Sequence, residues 1–385
     1  DFSMTQPVLC LIGHCDDHLW GRALPERTAL QFSRAGITGR VSPDKLAEAA
    51  GDIILVRADA VLDVPLVAHL AGSDPVILLS GEGEPLAARL PAGEAETGAA
   101  ILAGEAELSA LPDVPASAPA GLGAEYWQAL RKRETPYAYR YRPQQRDEIE
   151  WRIFMGTYKG ATDIVTKHVW PRPAFYVTRW LAPGFVTPNM VTSVSALFTV
   201  LAFYFFMQGE WLPGLFSAWA MTFLDTVDGK LARTTLTSSA WGNVFDHGID
   251  LVHPPFWYWA WAAGLSAAGH QMPNEFTWWV LAVIIGGYVL QRVVEGASIS
   301  VLGLEIHIWR RIDSLFRQIT ARRNPNLIIL TLGALFGRPD LGLIAVAVWT
   351  ALCFVLHLIQ LTYAFYIRVK HGPLNSWLTK PDAET

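Results

Sequence analysis

From about residue 185 onward the chain repeats apolar runs of roughly twenty residues, the length an α-helix needs to cross a hydrocarbon core. Such runs commit that half of the chain to a membrane and make whatever interrupts them informative. One stretch interrupts them with acids: DTVDGKLARTTLTSSAWGNVFDHGID sets Asp225, Asp228, Asp246 and Asp250 between apolar flanks. An unpaired charge at the bilayer centre costs about 3 kcal/mol or more, so intramembrane acids point to function. Asp225 and Asp228 are three residues apart and Asp246 and Asp250 four, so on helices each pair shares one face. Two such faces turned together make a box of oxygens. Hard divalent cations prefer that ligand set, and Mg2+ commonly combines a few carboxylates with phosphate oxygens and water.

Six spans are expected, at about 188–208, 211–232, 240–264, 275–298, 326–337 with its neighbours, and 341–367. Lys159, Lys167, Arg172 and Arg179 precede the first, Arg310, Arg311, Arg317, Arg322 and Arg323 lie between the fourth and fifth, and Arg368 and Lys370 follow the last. The opposite loops offer only Arg338. Basic loops mark the cytoplasmic side, which predicts an inner-membrane protein whose acids open toward the cytoplasm. Aromatics in FWYWAWAAG (256–264) and Trp278 and Trp279 read as an interfacial belt.

The average composition hides this division: 51% of the chain is hydrophobic and 17% charged. Residues 8–81 alternate short β-branched runs with helical patterns, which predicts a small α/β domain with a largely parallel sheet. Residues 83–124, rich in Ala, Gly, Pro and Glu, read as edge structure running into a linker. Tyr126 to Arg133 looks helical, and RKRETPYAYRYRP is basic and aromatic, suited to anionic headgroups or to an ordinary solvated surface. Lys159 to Leu181 is too charged to span but has the apolar and basic sides of an interfacial helix, which Pro171 and Pro173 should break or kink. The expected domains are 1–104, a linker over 105–158, the interfacial helix over 159–182, a six-helix domain over 183–372 and a cytosolic tail over 373–385. Cys10, Cys15 and Cys353 form no CxxC pair and suggest no disulfide framework. No charged n-region with a short apolar core opens the chain, so no signal peptide is expected.

The spacing says more than the composition. Asp225-x2-Asp228-Gly229-x2-Ala232-Arg233-x8-Gly242-x3-Asp246-x3-Asp250 resembles the signature of the CDP-alcohol phosphotransferase (CDP-alcohol phosphatidyltransferase) family at all its fixed positions. The resemblance covers roughly residues 159–370, and Lys159 to Leu181 is similar to the juxtamembrane helix of archaeal members that join inositol phosphates. It implies an integral membrane, Mg2+- or Mn2+-dependent enzyme of phospholipid or polyol-phosphodiester synthesis. Such an enzyme transfers a phosphoryl-alcohol group from a CDP-alcohol to an acceptor hydroxyl and releases CMP. Asp225, Asp228, Asp246 and Asp250 would be metal ligands, with Asp250 also the catalytic base.

Close approach of a nucleotide to helix backbone accounts for Gly229, Ala232 and Gly242, and Arg233 suits a phosphate oxygen. Pro188, Asn189 and Thr192 look like the family's Pro-Asn-x-x-Thr opening to the cytidine pocket; Pro is also simply good at a helix start. His247 and His253 flank Asp250 and are not assigned as ligands. Arg292, Arg310 and Arg311, with Glu295 nearby, are candidates to hold an acceptor phosphate, or they express the positive-inside pattern alone. Family members are homodimers, and Gly286 and Gly287 are candidates for the seam. The partners expected are a CDP-alcohol donor, an alcohol or polyol-phosphate acceptor, the bilayer and a second copy, with no nucleic acid.

The first domain faintly resembles the nucleotidyltransferase fold, yet its loop GHCDDHLWGRALPER puts Asp16 and Asp17 where a triphosphate would be repelled. It is expected to be a degenerate relative used for docking or scaffolding. A membrane transporter and a catalytically silent CDP-binding scaffold are the other readings; transporters usually show repeated halves, and the acid motif occurs once.

Overall fold

The computed structural model describes residues 6–123 and 125–379, apart from the side chains of Asn243, Asp246 and His247. The chain divides into two compact units. One holds the chain up to Tyr158 with Ala182–Gly184 and Arg233–Leu236; the other holds Lys159–Leu181, Phe185–Ala232 and everything from Thr237 on.

The strands of the first unit are β1 (Val8–Ile12), β2 (His18–Leu19), β3 (Arg22–Ala23), β4 (Asp52–Arg57), β5 (Ala60–Leu62), β6 (Val76–Leu79), β7 (Pro85–Pro91), β8 (Ala116–Ser117), β9 (Tyr126–Trp127), β10 (Lys132–Arg133) and β11 (Ala138–Arg140). Its helices are α1 (Leu24–Arg34), α2 (Val64–Gly72), α3 (Ala95–Ala103) and α4 (Arg146–Gly156). A five-stranded sheet runs β1-β4-β7-β6-β8. Successive residues of a strand face opposite sides, and both sides are covered. Ile54 and Val56 pack with Phe32 of α1 and Leu66 and Leu70 of α2, whereas Ile53 and Leu55 pack with Ala95 and Ile101 of α3.

The α/β class is therefore as expected, but the sheet is mixed rather than largely parallel. β1 pairs β4 and β6 pairs β8 in parallel, while β7 runs antiparallel to both its neighbours. The cause is a hairpin: Ser80 Oγ accepts from the amides of Glu82 and Glu84 at 3.1 Å each, folding β7 straight back on β6. β7 is thus the middle strand, although its Ala- and Pro-rich sequence reads as edge structure. Its prolines sit at the two ends and its alanines are buried against both helix layers.

Residues 105–158 also belong to the fold rather than to a linker. β8 completes the sheet, β11 pairs β5, and α4 buries Ile149, Ile153 and Phe154. Tyr126 to Arg133 is not a helix: β9 and β10 pair antiparallel across a turn closed by Arg131 at φ 49°. The bases that follow are largely matched by acids within the unit, Lys132 with Glu134, Arg133 with Glu125, Arg140 with Asp59 and Arg142 with Glu84. From α1, Arg27 donates to the Thr234 carbonyl and Arg34 to that of Leu236 at 2.7 Å.

The second unit is helical: α5 (Ile164–His168), α6 (Pro171–Leu181), α7 (Pro188–Met207), α8 (Trp211–Thr234), α9 (Ala240–Ala267), α10 (Asn274–Ala297), α11 (Arg311–Phe316), α12 (Arg323–Leu335) and α13 (Pro339–His371). The expected break at Pro171 falls between α5 and α6, and α6 exposes Tyr176 and Trp180 while burying Phe175 and Thr178. Among the described residues, three helices are long and apolar enough to cross a membrane: Pro188–Met207, Asn274–Leu302 and Pro339–His371. α8 and α9 carry the acids, and α12, with 13 residues, is only about 20 Å long.

The aromatic run on α9 divides by helical period instead of forming a belt. Trp257, Tyr258 and Trp261 are buried in the bundle core, whereas Phe256 and Trp259 are exposed. Trp257 and Trp261 donate their indole N–H groups to the carbonyls of Thr199 and Pro339, each at 3.0 Å. α7 and α9 touch backbone to backbone at Gly264, where a Cβ would fall 1.8 Å from the Phe206 carbonyl oxygen. Gly287 packs on Thr350 of α13 in the same chain, while Gly286 has open space.

Candidate active site in the helical unit

α8 brings Asp225 and Asp228 to the site, and α9 brings Asp250. α9 starts at a Ser239 cap that accepts from the Gly242 amide at 3.0 Å, and it carries Pro254 and Pro255 just past Asp250. A proline lacks the N–H that would bond the carbonyl four residues back, so the Leu251 carbonyl loses its helical donor. Tyr288 of α10 supplies the replacement, donating its hydroxyl at 2.9 Å. His253 bonds the Ile249 carbonyl at 2.7 Å through Nδ1, a local role rather than a shared one with Asp250.

The acids meet at a residue that sequence reasoning assigns to a basic loop and not to the site. Arg323, the first residue of α12, donates Nη2–H to Asp225 at 2.5 Å and Nη1–H to Asp250. Beside it, Asp228 accepts the Thr192 hydroxyl at 2.6 Å. Thr192 thus ties the Pro-Asn-x-x-Thr turn of α7 to the acids. Asn189 of the same turn lies against α9: a Cβ on Gly242 would come 2.8 Å from its Oδ1. Asp225, Asp228, Asp250, Thr192, Asn189 and Gly242 are therefore drawn into one neighbourhood of the helical unit. Arg233 packs with the first unit, and the Asp246 and His247 side chains lie outside the described residues.

Among the described residues no three acids, imidazoles or thiols make a ready cation cage. The donor set nonetheless fits a cation, because a guanidinium already stands between two of its carboxylates. An oxygen-only ligand set of this kind suits Mg2+ or Mn2+.

A second cluster has the opposite balance. Glu295 of α10 receives Arg292 at 3.0 Å, His307 at 3.1 Å and Arg322. Burial pushes the His307 imidazole down to about 3, against the pull of its hydrogen bond to Glu295, so the ring is neutral and donates from Nε2. Nearby Arg317 has Nε and Nη1 buried without a hydrogen-bond partner among the described residues. Of the expected acceptor arginines, Arg292 belongs to this cluster. Arg310 instead forks onto Asp313 at 2.8 Å and 3.0 Å and lies over the Trp309 ring. Arg311 is exposed.

The opening of α12 knits these parts together. Arg322 reaches α10, Arg323 reaches α8 and α9, Asn324 reaches Asp163 at the start of α5 at 2.9 Å, and Asn326 reaches Tyr258 of α9 at 2.8 Å. No periodicity marks these residues, and in sequence they look like a positive-inside loop. The signal available was a run of polar residues, RRNPN, inside the first turn of an otherwise apolar helix.

Carboxylates from two helices thus share one guanidinium, and the next residue of the chain, Arg322, joins a cluster of arginines around Glu295. Residues 185–315 match the family described as CDP-alcohol phosphatidyltransferase. Archaetidylinositol phosphate synthase of Pyrococcus horikoshii is 28% identical over 187 residues, 48% of this chain and 88% of that protein. Cholinephosphotransferase 1 of Danio rerio is 37% identical over 91 residues, 20% of this chain and 24% of that one. An uncharacterized CDP-alcohol phosphatidyltransferase class-I family protein of Schizosaccharomyces pombe is 33% identical over 86 residues, 19% and 22% of the two chains. The helical unit therefore carries, over residues 185–315, a CDP-alcohol phosphatidyltransferase family domain.

Proposed function

We propose that the chain is an integral membrane CDP-alcohol phosphotransferase, which moves a phosphatidyl or phospho-polyol group from a CDP-alcohol to an acceptor hydroxyl and releases CMP. The observation that carries this reading is the meeting of Asp225 and Asp250, from α8 and α9, on one half-buried cation, Arg323, with Asp228 held alongside by Thr192. Asp225, Asp228, Asp246 and Asp250 would hold Mg2+ or Mn2+, whose charge, when bound, neutralises phosphoryl oxygens.

The remaining work falls to the chain. In the transfer a bond forms between the acceptor oxygen and the alcohol-bearing phosphorus, the bond from that phosphorus to CMP breaks, and the acceptor proton goes to a carboxylate. Asp250 suits that role: its side chain is 39% exposed, against 16% for Asp225, and a base must reach its proton by hydrogen bond. Pro188, Asn189, Thr192, Gly229, Ala232, Arg233 and Gly242 are the nucleotide contacts in this reading. Arg292, Arg317 and Arg322 are better placed than Arg310 to receive an anionic acceptor, because Arg310 is already forked onto Asp313. A phosphorylated polyol acceptor also suits the likeness to archaetidylinositol phosphate synthase.

Six spans, an inner-membrane location with the acids toward the cytoplasm, and a homodimer complete the proposal. The first unit is read as a degenerate nucleotidyltransferase relative that docks or scaffolds, because Asp16 and Asp17 follow β1 where phosphates would need amides and bases. The test is a divalent-dependent assay of CMP release from CDP-diacylglycerol and soluble CDP-polyols across a panel of acceptors. Release with one donor and acceptor pair is expected. Solute flux in liposomes without any CMP release would replace this reading with a transporter.

A further inference from the structure

We propose that Arg323 is a tethered counter-ion of the acid cluster, a positioning residue that holds Asp225 and Asp250 together when no divalent cation is bound and yields their oxygens when one binds. The inference rests on the cation reading of the site given above. Its basis is geometric. Asp225 Oδ2 and Asp250 Oδ1, the oxygens that Arg323 takes, belong to the carboxylates that would face a metal ion. Arg323 and Asp225 side chains are each only 16% exposed, so neither charge has water as a full alternative partner, and removing the guanidinium takes a partner from both carboxylates in a poorly solvated place.

The charges do not cancel. Among the described groups of this cluster, Asp225, Asp228 and Asp250 with Arg323 sum, when all are ionised, to −3 + 1 = −2, before Asp246 is counted. One guanidinium is thus enough to stop the acids from driving the helices apart and too little to satisfy them. A divalent ion supplies more positive charge to these carboxylates and competes for the same oxygens, while the arginine has a long side chain that can withdraw. Among its other neighbours, Met221 Sδ at 3.6 Å is a weak partner that does not oppose withdrawal. A structural ion pair would behave differently: removing it would weaken the protein with or without metal and would leave metal affinity alone.

The experiment uses the full chain in detergent micelles or nanodiscs. Mn2+ binding is followed by electron paramagnetic resonance and unfolding by heating, with EDTA or with saturating Mg2+. Arg323→Gln should lower the melting temperature in EDTA, recover most of that loss in Mg2+, and tighten Mn2+ binding at least tenfold. Arg323→Lys, which keeps one charge but not the fork, should tighten it by a smaller factor, and this decides the matter if the Gln variant does not fold. Asp225→Asn combined with Arg323→Gln should regain stability in EDTA relative to Arg323→Gln alone. Unchanged or weaker Mn2+ binding in the variants overturns the counter-ion. If the wild-type protein releases no CMP from any CDP-alcohol yet these shifts appear, the transferase reading falls and the counter-ion stands. If CMP is released and the shifts are absent, only the counter-ion falls.

Discussion

Arg322 and Arg323 are consecutive, identical in chemistry and similarly buried, yet they enter opposite electrostatic situations. Among the described residues Arg323 is a cation set between Asp225 and Asp250 with Asp228 alongside, whereas Arg322 shares the acid Glu295 with Arg292 and His307. In the first cluster acid is in surplus, and in the second base is. A surplus is a standing demand for a ligand of the other sign, so one cluster is set to take a cation and the other an anion. The minority charge in each case keeps the cluster from bursting before the ligand arrives. Function and stability are therefore divided unequally: losing a majority member should cost chemistry, and losing the minority member should cost folding.

The sharpest break of this contrast is Asp250→Asn. Arg323 keeps Asp225 as its partner, so the fold should survive with its melting temperature little changed, while CMP release falls by about 10²–10⁴-fold, the usual contribution of a positioned base. Steady-state CMP release together with a melting curve checks both halves, and retained turnover removes Asp250 from the base role. Glu295→Gln should do the reverse. It takes the Glu295 carboxylate from Arg292, Arg322 and His307 in a partly buried place, a loss of roughly 3–5 kcal/mol in such settings. A large drop in melting temperature is expected, partly restored by inorganic phosphate if the cluster takes anions. A Glu295→Gln protein as stable as wild type would show that the second cluster is solvated rather than held.

The two clusters were not equally legible. Acids three and four apart in apolar helices announce themselves, because periodicity and polarity agree at Asp225, Asp228 and Asp250. Their partner did not. Arg323 lies 98 residues from Asp225 and 73 from Asp250, and a helix period says nothing across such gaps. In sequence it merges with the basic loop that sets topology. Glu295 with Arg292 was visible as an i,i+3 pair, but His307 and Arg322 reach it by tertiary folding only. The first unit shows the same limit from another side. Alternating strands and helices gave the class, yet β7 looked like an edge because its alanines carry little hydrophobic signal, and burial between two helix layers is a property of the assembled sheet.

A weaker effect separates the clusters by acidity. His307 is held neutral at about 3 by burial, below its ordinary 6.5. Between those values the unfolded chain binds more protons at this site than the folded one, so folded stability falls as pH falls from 6.5 toward 3, by at most about 1.4 kcal/mol per pH unit. Glu295, Arg322, Arg317 and the His357 ring, whose centroid lies 5.2 Å away, face this imidazole. His307→Gln should flatten the fall in melting temperature over this range relative to wild type. Equal slopes for the two proteins would mean that the imidazole takes its proton without unfolding the loop around it.

The smallest change expected is Gly242→Ala, and its interest lies in what it leaves alone. The added Cβ would meet Asn189 Oδ1 at 2.8 Å and Ser239 Oγ at 3.0 Å, both ends of side chains rather than backbone. Both can turn aside, so the stability cost should stay under about 1 kcal/mol, the more so because alanine favours a helix over glycine. Asn189, however, would no longer stand where the α7 turn and α9 hold it, and neither acids nor arginines would have moved. If this corner receives the nucleotide, the KM for the CDP-alcohol should rise several-fold, while metal affinity and the KM for the acceptor stay as they were. A rise in the acceptor KM instead would move the nucleotide away from Asn189 and toward the arginines, reversing the assignment of the two clusters.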